Sequence, residues 1–181
     1  PILTACGTKT TETATAEEVA REVGSSDIAY VQVEAVLAQC DLFLNEGAAL
    51  QEKTQKAQKS WAQKEQNLQA EAAQLQEKYQ KGLITTNDAQ AQQQSIEKRV
   101  ASYQSSAQKE AQALDEENYV FTNRAQDLLH RAVQEINGDK KYKLIINATA
   151  LIDADSTLNI TPAVLAKVNE LYAADKKAVK K

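Results

Sequence analysis

The sequence predicts an α+β protein in which a long antiparallel α-helical hairpin, a tentacle, projects from a small β-containing body built by the chain's two ends. Three observations carry this. Ala, Gln, Glu and Lys dominate the middle, and aromatics are only 5% of the 181 residues. That mix is typical of long helices and poor in the side chains that fill a three-dimensional core. Apolar residues recur at spacings of three, four and seven in two stretches on either side of Gly82. Strand-like, β-branched segments occur only towards the two ends.

Residues 1–26 read as an address followed by a tether. Leu3-Thr4-Ala5-Cys6 has the pattern of a bacterial lipobox, in which the cysteine takes the lipid, so Cys6 is the expected lipidation site. Each buried acyl CH₂ contributes about 0.8 kcal/mol of membrane affinity, so several chains anchor firmly. Thr8 to Glu18 is rich in Thr, Ala and Glu, as a polar tether is. Membrane contact is therefore expected through a lipid anchor. No stretch of about 18 apolar residues is present to span a bilayer.

Glycine occurs only at 7, 24, 47, 82 and 138. Because an interior helical Gly costs about 1 kcal/mol relative to Ala, such sparse glycines mark boundaries. Ser25-Ser26-Asp27 reads as a turn, Ile28 to Val33 as a strand, and Glu34 to Cys40 as a short helix. These residues, with 139–181, form the expected body; residues 42–138 form the expected hairpin, its tip near 81–88.

The first hairpin helix carries its seam on Leu50, Ala57, Trp61, Leu68, Ala72, Leu75 and Tyr79. The second carries Ile96, Val100, Tyr103, Ala107, Leu114, Phe121, Ala125, Leu128 and Ala132. Gly82 suits the position just past the end of the first helix. Thr86 or Asn87 is expected to cap the second, with Asp88 complementing its dipole. After Gly138, Lys143 to Ala148 reads as a strand and Ala150 to Asp153 as a further one. Thr161 then caps a last helix with Pro162 in its first turn, and Val164, Leu165, Val168, Leu171 and Tyr172 make its apolar side.

Several function classes find no support. The net charge is −4 and no arginine-rich stripe occurs, so nucleic acid is not an expected partner. Lys176, Lys177, Lys180 and Lys181 read as a solvated end. His130 is the single histidine and lies beside the second seam, with no Ser-His-Asp or Cys-His spacing around it. Cys40 reads as a small buried apolar residue, and a disulfide with Cys6 has no positive support. Asp153-x-Asp155-x-Thr157-x-Asn159 starts like a calcium loop, but Leu158 and Val164 stand where such a loop needs Gly and Glu. These acids read as a polar turn, and no metal or cofactor is expected. Asn147-Ala148-Thr149 fits a glycosylation sequon inside a predicted strand. The chain is not expected to be an enzyme.

At its ends the chain resembles the Skp/OmpH family of periplasmic outer-membrane-protein chaperones. The resemblance is most specific at Tyr142 to Ala150, then Asp153-Ala154-Asp155, then Leu158 to Leu165; Ile28 to Val33 is similar to the family's first strand. It implies a homotrimer whose strands pool into a small β-barrel, with three hairpins around a cavity that holds unfolded outer-membrane proteins without ATP. Consistently, no G-x-x-x-x-G-K-[ST] loop occurs. Trimerisation is also a symmetric way to close exposed strand edges.

Candidate client-binding residues are Trp61, Leu68, Leu75, Tyr79 and Tyr103 along the seams, and Leu83 and Ile84 at the tip, where apolar residues signal contact with something. Trp61 has two readings, packing against the facing helix or meeting a client. The abundant Gln can pair with a client's backbone. The acidic balance departs from the family's basic tentacles, and so does the lipobox. A lipid-anchored coiled-coil spacer or adaptor of the cell envelope is the alternative.

Overall fold

A computed structural model describes residues 27–179, and side chains as far as residue 178. The lipobox at Cys6, the polar tether, Lys180 and Lys181 lie outside the described residues.

The chain begins with strand β1 (Ile28–Val31) and helix α1 (Val33–Gln39), then a π-helical turn at Phe43–Gly47. Helix α2 (Ala48–Gln80, 33 residues) and helix α3 (Thr86–Ile136, 51 residues) make the hairpin. Strand β2 (Leu144–Asn147) and helix α4 (Thr161–Val179) complete the order. At 1.5 Å per residue α2 and α3 run roughly 50 and 77 Å. The longer α3 therefore reaches past the start of α2 and into the body.

The reversal is local chemistry. Gly82 adopts φ +67°, a left-handed conformation that glycine takes without steric cost. The amides of Gly82 and Leu83 donate to the Tyr79 and Lys78 carbonyls, closing the end of α2. The cap of α3 is Thr85, not Thr86 or Asn87. Its hydroxyl accepts from the Asp88 amide at 3.1 Å and donates to the Asp88 carboxylate at 2.7 Å. That reciprocal pair makes Thr85 the boundary.

The two ends meet as expected. β1 and β2 pair in parallel, Ile28 opposite Leu144 and Val31 opposite Asn147. A parallel pair needs a crossover connection, and here the crossover is the whole hairpin. On the other side of β1, Tyr30 bridges Asn159 and its carbonyl accepts from the Ile160 amide at 3.0 Å. β1 is thus central. Among the described residues no strand pairs with the outer edge of β2.

The segment Ala150–Asp153 is not a strand. Ala148–Ala150 is a 3-10 turn and Ile152 is fully exposed. Asn159 occupies the free side of β1, and among the described residues nothing in this segment pairs with β2. Nor does Thr161 cap α4. The helix already includes it, and its hydroxyl accepts from the Gln32 amide 129 residues away, at 2.9 Å.

The core lies in the body. It joins Val31 and Val36 from β1 and α1, Cys40 and Leu42, Ala125, Leu128 and Ala132 from the end of α3, and Val164, Val168, Leu171 and Tyr172 from α4. Cys40 is a free, fully buried thiol. Along the stalk, by contrast, burial reaches only Ala57, Leu75, Ile96 and Leu114.

Candidate functional site: the faces of the hairpin

A stalk with so few buried side chains is held by polar ties between its helices. Midway, the Trp61 indole N–H donates to the Glu110 carboxylate at 2.6 Å, and the Tyr103 hydroxyl donates to the Trp61 carbonyl at 3.0 Å. Lys53 pairs with Glu117 below this point, and Arg99 with Glu71 above it at 2.5 Å. The hydrogen bond from Arg99 holds the Glu71 carboxyl below its ordinary range. These pairs are exposed, so solvent screening leaves each only a weak contribution to stability.

The candidate client contacts divide by burial. Leu75 is buried in the seam, and Trp61, Leu68 and Tyr103 are half-buried. Trp61 and Tyr103 are brought together, each bonded across the hairpin. Tyr79 and Leu83 are exposed, 46% and 68%, and Ile84 is half-buried beside them in the chain. Leu75 and Tyr79 line an open groove near the tip with Gln76, Gln90, Gln93 and Gln94. Gln51, Gln55, Gln58, Gln63, Gln66, Gln69 and Gln92 are also exposed. Each presents two donors and an acceptor along the stalk.

Sequence reasoning missed a second apolar region at the hairpin root. Leu44, Tyr119 and Val120 are 60%, 69% and 57% exposed. Val120 lines a groove of ≈ 620 Å³ between α2 and α3, floored by Leu50 and Phe121 and rimmed by Lys53 and Arg124. Three consecutive apolar residues in a helix, Tyr119-Val120-Phe121, cannot all face one seam, and that was the available signal.

His130 lies on the exposed surface of α3. Asp155 accepts from the Thr157 amide and hydroxyl at 2.8 and 2.9 Å, capping a 3-10 turn. These bonds hold its carboxyl below the ordinary range. The Asn147 side-chain Oδ1 accepts from the Thr149 amide at the end of β2. Among the described residues no helix is long and apolar enough to cross a membrane.

Beyond this geometry, a family model described as outer membrane protein (OmpH-like) matches residues 27–168, from β1 into α4. The chain belongs to the OmpH-like family. Its fold is also similar to the crystal structure of a candidate outer membrane chaperone (OmpH-like) from Caulobacter crescentus CB15. That likeness has a TM-score of 0.67 at 16% identity, and covers 80% of this chain and 85% of the other. At that identity it speaks for the fold. No curated protein matches the chain. The OmpH-like match takes in the whole hairpin and both strands, so the residues that form the exposed faces lie inside the family region.

Proposed function

We propose that this OmpH-like chain is an ATP-independent periplasmic holdase chaperone that binds unfolded outer-membrane proteins between helical hairpins of a homotrimer. The observation that carries the reading is the family match across residues 27–168, joined to a stalk whose exposed faces are glutamine-rich and only sparsely apolar. A holdase needs weak, dispersed contacts rather than a deep enclosed pocket. Trp61, Leu68, Leu75, Tyr79, Leu83, Ile84 and Tyr103 are its proposed client contacts, those at the tip the most accessible. Leu44, Tyr119 and Val120 add a second contact region at the root.

The sheet supports the proposed assembly. Among the described residues nothing pairs with the outer edge of β2, and Leu144 is exposed; such an edge is a hazard in a monomer and a template in an oligomer. A lipid on Cys6 would keep the chaperone at a membrane, where its acidic balance gives no electrostatic attraction to anionic headgroups.

Two measurements test this. Light scattering should give three times the 19.9 kDa chain mass. A denatured outer-membrane β-barrel, diluted from urea with a few-fold molar excess of the protein, should stay unaggregated. A monomer, or no protection at that excess, would favour the spacer reading. Metabolic labelling of the native gene product with a radioactive fatty acid tests Cys6; absence of label there ends that part.

A further inference from the structure

The family match ends at residue 168, but α4 continues to Val179. The turns beyond the match carry an unusual share of the ties to the hairpin. Leu171 and Tyr172 are 8% and 3% exposed in the body core. Asp175 receives both terminal nitrogens of Arg131, on α3, at 3.0 and 3.1 Å. Such two-point guanidinium–carboxylate pairing fixes geometry as well as supplying energy.

Tyr172 makes the second tie. Its hydroxyl donates to Glu46 Oε1 at 3.0 Å, while Glu46 Oε2 accepts from Arg124 at 2.6 Å. Arg124 also lies 5.6 Å from the centre of the Tyr172 ring, and Lys176 lies 5.1 Å from it. One carboxylate therefore joins three elements: the π turn that carries Glu46, helix α3, and the end of α4.

The π turn is where the stalk leaves the body. π-helical turns are rare and occur mainly as single-turn bulges at functional positions. This one is tightly seated: Phe43 meets Phe121 edge-on with ring centres 4.7 Å apart, and a Cβ on Gly47 would lie 3.0 Å from Phe121 Cζ. Beyond the root, the stalk has little buried surface to fix its own direction.

We infer that the turns of α4 beyond residue 168 are a clamp that holds the hairpin root closed against the body through Tyr172–Glu46 and Asp175–Arg131. The clamp is independent of what the stalk binds. Its consequence, control of the spacing between hairpins, rests on the trimer reading above.

Hydrogen exchange by mass spectrometry on the full chain tests the clamp. Tyr172→Phe combined with Asp175→Asn removes a hydroxyl and a charge while keeping both shapes, so the fold is retained. Exchange over residues 43–50 and 117–124 should quicken roughly tenfold, the scale expected for losing hydrogen bonds to charged groups. Peptides covering 28–31 and 144–147 should be unchanged. Asp175→Glu with Tyr172 intact keeps both partners and should leave the root protected. Unchanged rates at the root in the double variant would overturn the clamp. So would an equal acceleration in the strands, because α4 would then be only a part of the body core.

Discussion

Tyr103 donates its hydroxyl to the main-chain carbonyl of Trp61, 3.0 Å across the hairpin. The acceptor is in the middle of a helix. Together with the Trp61–Glu110 bond, this contact fastens the stalk at mid-height by polar groups rather than by a filled core. The seam is thin there because the residues around it are mostly Ala, Gln, Lys and Glu. A stalk built this way keeps its helices paired while leaving most of both faces to solvent.

Tyr103→Phe should therefore lower stability by about 0.5–1.5 kcal/mol, the usual net worth of one hydrogen bond. Trp61 is the single tryptophan, so its emission reports the stalk directly. Urea unfolding followed at that emission should shift to a lower midpoint. An unchanged midpoint would mean that the contact adds nothing in solution.

The body should be far more sensitive than the stalk. Leu128 is fully buried where α3 meets the core. Leu128→Ala should cost about 2–5 kcal/mol, from lost burial plus the cavity left behind. Thermal unfolding followed by circular dichroism measures this. A loss similar to that of Tyr103→Phe would place the main core elsewhere.

The tip should matter for clients and not for folding. Leu83→Ser with Ile84→Ser is expected to leave the oligomer folded and to weaken protection of a denatured β-barrel. Light scattering checks assembly and turbidity checks protection. Equal protection by both proteins would remove the tip from the client surface.

Gly82→Ala should destabilise the reversal by about 1 kcal/mol. Open space surrounds the position, so the cost comes from the left-handed backbone and not from a clash. Faster exchange confined to residues near 78–88 is the expected signature. A change spread along both helices would point to a different cause.

Stability should fall at both ends of the pH scale, for opposite reasons. The hydrogen bond from Arg131, reinforced by its charge, holds the Asp175 carboxyl below its ordinary range. That contribution is complete above the unfolded value of about 4, and is lost as pH falls through the lower folded value. Burial, then the bond to Glu46, pushes the Tyr172 phenol up. Its contribution is complete below the unfolded value of about 10, and is lost as pH rises through the higher folded value. Thermal midpoints taken from pH 2 to 11 should show both limbs. Asp175→Asn should make the acid limb shallower and leave the alkaline one alone. An identical acid limb in the variant would show that the ion pair is too screened to count.

Much of this architecture was legible because it is local. The reversal at Gly82, the buried Leu75, Leu114 and Leu128, and the apolar side of α4 follow from backbone preference and helical spacing. The misplaced cap was legible too: Thr85-Thr86-Asn87-Asp88 is a Thr-x-x-acid pattern, which singles out Thr85. Ala150–Asp153 was a different failure. Leu151 and Ile152 have strand-like side chains, but whether they pair depends on a neighbouring edge that no local pattern describes.

By itself, the sequence determined a paired-helix stalk, two strand-bearing ends and a family. Each of these depends on residues a few positions apart. Only the tertiary structure decided that Thr161 serves Gln32, that Glu46 joins α3 to α4, and that Tyr172 and Asp175 grip the hairpin root. Those contacts link residues 44 to 129 positions apart. They exist because closing the body brings the two ends of the chain within hydrogen-bond reach, and periodicity carries no record of that distance.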